Sequence, residues 1–138
     1  MVEIRDYTNA DYEAVRTNLV DGNLFNPDKD TREVLNSKIK ASPGSILVAA
    51  IDGQVVGNVY LLQDSWNSFI FRLAVRKDFR KQGIGSLLMK EAENRLKSAG
   101  TAAISLFIRE DDSELRYYYT KRGYEPMEHF HRFMHKRL

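Results

Sequence analysis

The chain has 138 residues, 43% of them apolar and 29% charged, a size and balance that suit one globular domain over residues 1–138 and exclude a disordered chain. A net charge of +2 is too small to argue for nucleic acid or a membrane surface as a partner. With no cysteine there are no disulfides, thiolate nucleophiles or Cys-based metal sites, which fits a cytoplasmic protein. No apolar run approaches the roughly 18 residues of a membrane helix, and Met1–Asp6 has no signal-peptide core.

Val2 to Tyr7 alternates apolar and polar, as a strand does. Thr8 or Asn9 can cap a helix running to about Val20, with Ala14, Val15 and Leu19 inward, and Asp21-Gly22-Asn23 ends it. Asp30 to Lys40 reads as a second helix with Val34, Leu35 and Ile39 apolar, followed by a Pro43-Gly44 turn. Ile46 to Ile51 and Gln54 to Leu62 are strands joined by the hairpin turn Asp52-Gly53. Asn67 to Val75 is the next strand, with Phe69, Phe71, Leu73 and Val75 predicted on one face and Ile70, Arg72 and Ala74 on the other.

Ile84 to Ala99 is the clearest helix, with Ile84, Leu87, Leu88, Ala92, Leu96 and Ala99 at helical spacing and Gly100 as its stop. Ala102 to Ile108 reads as a buried strand and Ser113 to Lys121 as a short helix ending near Gly123. Tyr124 to Met127 and Phe130 to Lys136 are expected as closing strands. The order β-α-α-β-β-β-α-β-α-β-β predicts an α/β domain with a mixed sheet.

Chemistry concentrates between the third hairpin strand and the long helix. Arg72, Arg76, Lys77, Arg80 and Lys81 lie within ten residues, with Asp78 the only acid among them. Gly83 and Gly85 then flank Ile84 at the helix start. The first N–H groups of a helix lack internal partners, the helix dipole adds positive charge there, and glycine lets an anion approach the backbone. The segment is therefore an anion site for a small polyanion, or else an ordinary glycine turn beside a solvated basic loop. A dinucleotide fingerprint needs a third glycine where Leu88 stands, and no Walker-type Gly-Lys-Ser/Thr follows.

Leu73-Ala74-Val75, a four-residue gap, then Arg80-Lys81-Gln82-Gly83-Ile84-Gly85 and the helix resemble the GNAT family of N-acetyltransferases. Leu106-Phe107-Ile108-Arg109, then Asp112 through Tyr119 and Gly123-Tyr124, resemble that family's later strand, helix and Tyr-x-x-x-Gly-Phe/Tyr ending. The resemblance covers nearly the whole chain. It implies a mostly antiparallel central sheet flanked by helices, with two strands splayed to hold acetyl-CoA or another short acyl-CoA. In that picture Leu73, Ala74 and Val75 meet the pantetheine arm. Amides from Lys81 through Gln82, Gly83, Ile84 and Gly85 to Ser86 hold the pyrophosphate with Arg80 at the rim, and cations near Arg76 and Lys81 meet the 3′-phosphate.

The reaction implied is attack by an amine of a small molecule or peptide on the thioester. Tyr119 stands where the family carries the general acid that protonates the leaving thiolate. Successive helical residues turn by about 100°, so Tyr117 and Tyr118 point elsewhere. On residue type alone, Tyr119 reads equally as a core aromatic.

Two departures matter. The strand positions where family members often place a base carry Phe69, Phe71, Arg72 and Phe107, leaving water, backbone, Glu110, Asp111 or Asp64 for that role. Asp112 replaces the family's frequent cofactor-contacting asparagine and can instead cap a helix. The phenylalanines motivate an alternative: a non-catalytic acyl-CoA-binding sensor or regulatory module. His129, His131 and His135 share a face if their strand begins one residue early, but no fourth ligand has suitable spacing, so no metal is expected. Trp66, at a hairpin tip, lines a substrate pocket or covers an edge. Leu24, Phe25 and Asn26 lie where such enzymes build acceptor specificity or, equally, pack the core. A homodimer is compatible with the short closing strands.

Overall fold

The runs Leu47–Ala50 and Val55–Leu61 show no polar alternation because they are buried on both faces of a central sheet. The computed structural model describes residues 1–129 and 131–138. Its strands are β1 (Val2–Asp6), β2 (Ile46–Ile51), β3 (Gln54–Leu62), β4 (Ser68–Val75) and β5 (Ile104–Ser105). They pair in the order β1-β2-β3-β4-β5, antiparallel except for the parallel β4–β5 pair. The helices are α1 (Tyr12–Asp21), α2 (Arg32–Ala41), α3 (Ile84–Ser98) and α4 (Ser113–Lys121). The chain divides into two compact units, residues 1–106 and 107–138.

In the first unit, one sheet face carries Ile46, Val48, Ala50, Val55, Tyr60 and Ala74, packed with Tyr12, Val15, Leu19 and Leu35 from α1 and α2. α3 packs against β1 through β4 with Ile84, Leu88, Met89, Ala92 and Leu96 buried. Gly57 permits that approach: a Cβ there would lie 3.0 Å from the Ala74 carbonyl oxygen and 3.2 Å from Leu88 Cδ1. Val34, one of the apolar residues of the second helix, and Leu87, part of the apolar repeat of the long one, are exposed. Each helix presents a stripe narrower than its full apolar set.

The caps are local chemistry. Asp11 accepts the Thr8 N–H at 2.8 Å and pairs with Arg5 at 2.8 Å, fixing the entry to α1. Thr31 accepts the Val34 N–H at 3.2 Å and starts α2 two residues later than predicted. Asp52 and Gly53 both adopt positive φ, as the tight β2–β3 hairpin requires.

The expected simple alternation along β4 fails at its middle. Tyr60 pairs with Phe71 but Asn58 pairs with Ala74, so β4 holds one extra residue opposite Val59. Arg72 sits in this bulge with φ +56°. Before it, Phe71 lies on the α1/α2 side; after it, Ala74 does. Leu73 and Val75 therefore do not share a face with Phe69 and Phe71, as a period-2 reading requires.

A buried polar chain holds the bulge. Asn58 Nδ2 donates to the Arg72 carbonyl at 2.9 Å, and Asn58 Oδ1 accepts from Asn18 Nδ2 at 3.1 Å. Asn18 Oδ1 accepts from Arg76 Nε at 3.0 Å. Both asparagines are fully buried. The Arg72 guanidinium meets buried Asp30 at 3.2 Å, and Asp30 also accepts the Asn26 N–H at 2.8 Å.

The predicted strand from Ala102 to Ile108 shrinks to Ile104–Ser105, which pair only with Ser68 and Phe69. Phe107 is exposed. Apolar composition marked the segment, but a strand exists only through its ladder, and among the described residues this one stops while β4 continues to Val75. In the second unit, α4 is capped by Asp112, whose side chain accepts the Leu115 N–H at 2.9 Å, and Gly123 follows the helix at φ +93°. The predicted strand Tyr124–Met127 carries no ladder. Of the predicted Phe130–Lys136 strand, Phe130 lies outside the described residues and 131–136 are not strand.

Replacing Asn58 with Ala would orphan the Arg72 carbonyl and the Asn18 amide. We expect Asn58→Ala to lose about 2 kcal/mol of stability, read as a lower urea midpoint at unchanged m. An unshifted midpoint would mean the asparagine chain does not hold the bulge.

Candidate active site

β4 brings Leu73, Ala74 and Val75 to the start of the basic loop. On the β3 side, Ala74 faces Asn58 and Val75 faces Gly57. On the other edge, the ladder to β5 ends at Phe69, so among the described residues that edge of Leu73–Val75 carries no strand. The Val75 carbonyl instead accepts from Arg80 Nε at 2.7 Å.

The loop makes a short 3-10 turn at Lys77–Phe79 and reaches α3 through two left-handed residues, Lys81 at φ +62° and Gly83 at φ +82°. Gly83 is the N-cap of α3, and a Cβ there would meet nothing within 4 Å. The space beside this backbone is open, and the conformation is one that favours glycine. Leu87 N–H to Gly83 carbonyl, at 3.0 Å, opens the helical bonding. Among the described residues, no backbone carbonyl accepts from the N–H of Lys81, Gln82 or Gly83. Ile84, Gly85 and Ser86 form the first turn, ahead of that bond. The Lys81–Gly83 amides without a backbone acceptor, an open approach and the positive end of a 15-residue helix fit a diphosphate.

The cations are not equivalent. Arg76 turns inward, donating to Asn18 and to the Val55 carbonyl at 3.1 Å, which commits it to the scaffold rather than to a phosphate. Arg80 folds back on Val75 and lies 3.6 Å from Asp21. Asp21 also accepts the Lys77 N–H at 2.7 Å, so the end of α1 grips the loop at two points. Lys81 is exposed at the loop's crest.

In the second unit, Tyr119 is 8% exposed, and its ring lies edge-on to Tyr118 at 5.1 Å and Tyr124 at 5.7 Å. Burial, with a smaller contribution from Tyr118, pushes its phenol up to about 12, so it is fully protonated at neutral pH. Tyr117 is exposed beneath Lys121, and among the described residues the buried Tyr118 hydroxyl has no hydrogen-bond partner. Asp112 is committed to capping α4.

The candidate bases fare differently. Asp111 is paired with Arg109 at 3.0 Å, which holds its carboxyl below the usual carboxylate range. Asp64 accepts the Trp66 N–H at 2.8 Å within its own turn. Glu110 is exposed. Asp30, which the pattern reading took as a helix start, is a buried carboxylate already engaged by Arg72 and Asn26. Asn18 and Asn58 were also missed. Each is a polar residue inside an apolar pattern, between Val15 and Leu19 and within Val55–Leu61, which is the signal that marks them. Among the described residues, no three His, Asp or Glu side chains come together as a metal site, and no helix is long and apolar enough to cross a membrane.

Comparison with known proteins gives the family and the fold. A sequence model of the acetyltransferase (GNAT) family covers residues 3–124. A protein of Pectobacterium atrosepticum described as an acetyltransferase is 32% identical over 127 residues, spanning 92% of this chain and 90% of that one. One from Photorhabdus laumondii, also described as an acetyltransferase, is 32% identical over 124 residues, 90% of this chain and 87% of that one. Among solved structures, the PaiA N-acetyltransferase of Thermoplasma acidophilum in complex with coenzyme A superposes with a TM-score of 0.82 at 20% identity, over 94% of this chain and 93% of that one. At that identity the likeness shows the fold, and the family follows from the sequence match: this chain belongs to the GNAT family of acetyltransferases.

Proposed function

We propose that this protein moves an acetyl group from acetyl-CoA to a primary amine of a small molecule or peptide, in the cytoplasm. The observation that carries this reading is the open backbone at Lys81–Gly83, set at the end of a strand whose other edge, among the described residues, carries no partner strand beyond Phe69. Amides of Lys81 to Ser86 hold the pyrophosphate, and the backbone of Leu73 to Val75 orients the pantetheine arm. The bound thioester supplies an electrophilic carbonyl carbon.

The amine nitrogen attacks that carbon, the carbon–sulfur bond breaks, the thiolate takes a proton from the Tyr119 phenol, and the phenolate regains a proton from solvent. A phenol raised to about 12 is a donor whose proton is fully present across physiological pH. The amine's own proton leaves to solvent, since Phe69, Phe71, Arg72 and Phe107 accept none and Asp30 is occupied. Asp112 supports the site by fixing the start of α4.

Gly83→Glu puts a negative side chain into the open space and strains the backbone. We expect acetyl-CoA affinity to fall by about a hundredfold or more, measured by calorimetric titration, with the far-UV circular dichroism spectrum retained. Unchanged affinity would sink the pyrophosphate assignment. Tyr119→Phe should lower kcat by about a hundredfold while leaving the KM for acetyl-CoA within about twofold; normal turnover would remove Tyr119 from the mechanism. Thiol release against a panel of amines, corrected for hydrolysis, separates this reading from a non-catalytic acyl-CoA sensor. Tight binding without transfer to any amine would favour the sensor.

A further inference from the structure

At the end of the β3–β4 hairpin, opposite the phosphate loop along β4, lies a cavity of about 390 Å³. Lys38 in the last turn of α2 and Ser42, which caps that helix, form one wall; Leu62, Asp64, Trp66 and Phe69 form the other. Lys38 Nζ donates to the Leu61 carbonyl at 2.6 Å, which fixes the ammonium there. Burial pulls its pKa below the ordinary lysine value. Among the described residues no carboxylate forms an ion pair with it. Asp64, the acid in the opposite wall, is turned into its own loop by the Trp66 N–H. A cation withdrawn from water with one carbonyl and a helix C-terminus as its only compensation is incomplete without an anion.

The apolar side of the cavity is also unfinished. Trp66 is 85% exposed and Leu62 is half exposed. Phe69 stacks on Phe71 at 5.9 Å, on the same side of β4, and Arg72 of the bulge follows. Ring surface thus runs from the cavity to the bulge, about 10 Å at roughly 3.3 Å per residue.

We propose that this cavity receives the far end of the acceptor, and that this end is a carboxylate on an apolar chain. The amine stands at the bulge, the chain lies along Phe71 and Phe69, and the carboxylate pairs with Lys38. The assignment of the occupant as an acceptor rests on the acetyl-transfer reading; the carboxylate site does not.

Trp66 is the only tryptophan, so its emission reports the cavity directly. Octanoate and octanamide probe binding to the full-length protein, and 8-aminooctanoate and 8-aminooctanamide probe transfer. Octanoate should shift Trp66 emission with a Kd about tenfold below that of octanamide. Lys38→Met should abolish the difference and Lys38→Arg should keep it. In turnover, kcat/KM should favour 8-aminooctanoate about tenfold in the wild type and not at all in Lys38→Met. Equal responses to octanoate and octanamide, or discrimination that survives Lys38→Met, would overturn the proposal even if amines are acetylated. Discrimination in emission without transfer to any amine would keep the carboxylate site and overturn its assignment to an acceptor.

Discussion

The hydrogen bond from the Asn58 side chain to the Arg72 carbonyl is the interaction around which the site is arranged. A non-glycine residue at positive φ in mid-strand is unfavourable unless its surroundings over-determine it. Here they do. Asn58 holds the carbonyl, Asp30 holds the guanidinium, and Asn18 ties Asn58 to α1. Removing water from two carboxamides costs little once each finds a partner, and buried amides that are fully satisfied specify one geometry. The register of β4 beyond the bulge, and so the approach of Leu73–Val75 to the loop, follows from that chain of contacts.

The loop is held by the same scaffold. Arg76 enters the asparagine chain from the end of β4, and Asp21 at the end of α1 takes both the Lys77 amide and the Arg80 side chain. Of the cations that look interchangeable in the sequence, Arg76 and Arg80 serve mainly to fix the backbone. In the proposed reading, attraction for an anion then falls to the amides and the helix dipole, with the exposed Lys81 beside them. Preorganised amides lose no side-chain freedom on binding, whereas a flexible basic loop would.

Elements whose pattern is set by burial alone were legible. α3, the β2–β3 hairpin and the glycine N-cap lie within a residue or so of where periodicity and turn chemistry put them. Features set by tertiary pairing were not. The bulge at Arg72 leaves no mark in a period-2 pattern, because Phe69 through Val75 alternates plausibly without it. The strand at Ala102–Ile108 was overextended because apolar content signals burial rather than a ladder. Asp30, Asn18 and Asn58 were the hardest to assign. A lone polar residue in an apolar stretch is visible, but its partner 40 residues away in the chain, as Asn58 is to Asn18, is not. The left-handed glycine at the start of α3, on which the proposed anion site rests, was readable because its signal is local. The cavity shared by Lys38 and Trp66 was not, since the two meet only through the packing of α2 on the hairpin.

The extra residue in β4 also bears on which changes the gene for this protein can tolerate. A substitution at Phe69, Phe71 or Leu73 alters one side chain and leaves its neighbours on their faces. Deleting Arg72 would restore a regular pleat with Ala74 still opposite Asn58, but it would remove the carbonyl that Asn58 holds and the guanidinium that Asp30 holds. Composition and hydropathy would barely change, yet two buried polar side chains would lose the partners they are arranged around. Lineages descending from this chain can therefore vary the identity of these residues far more freely than their number.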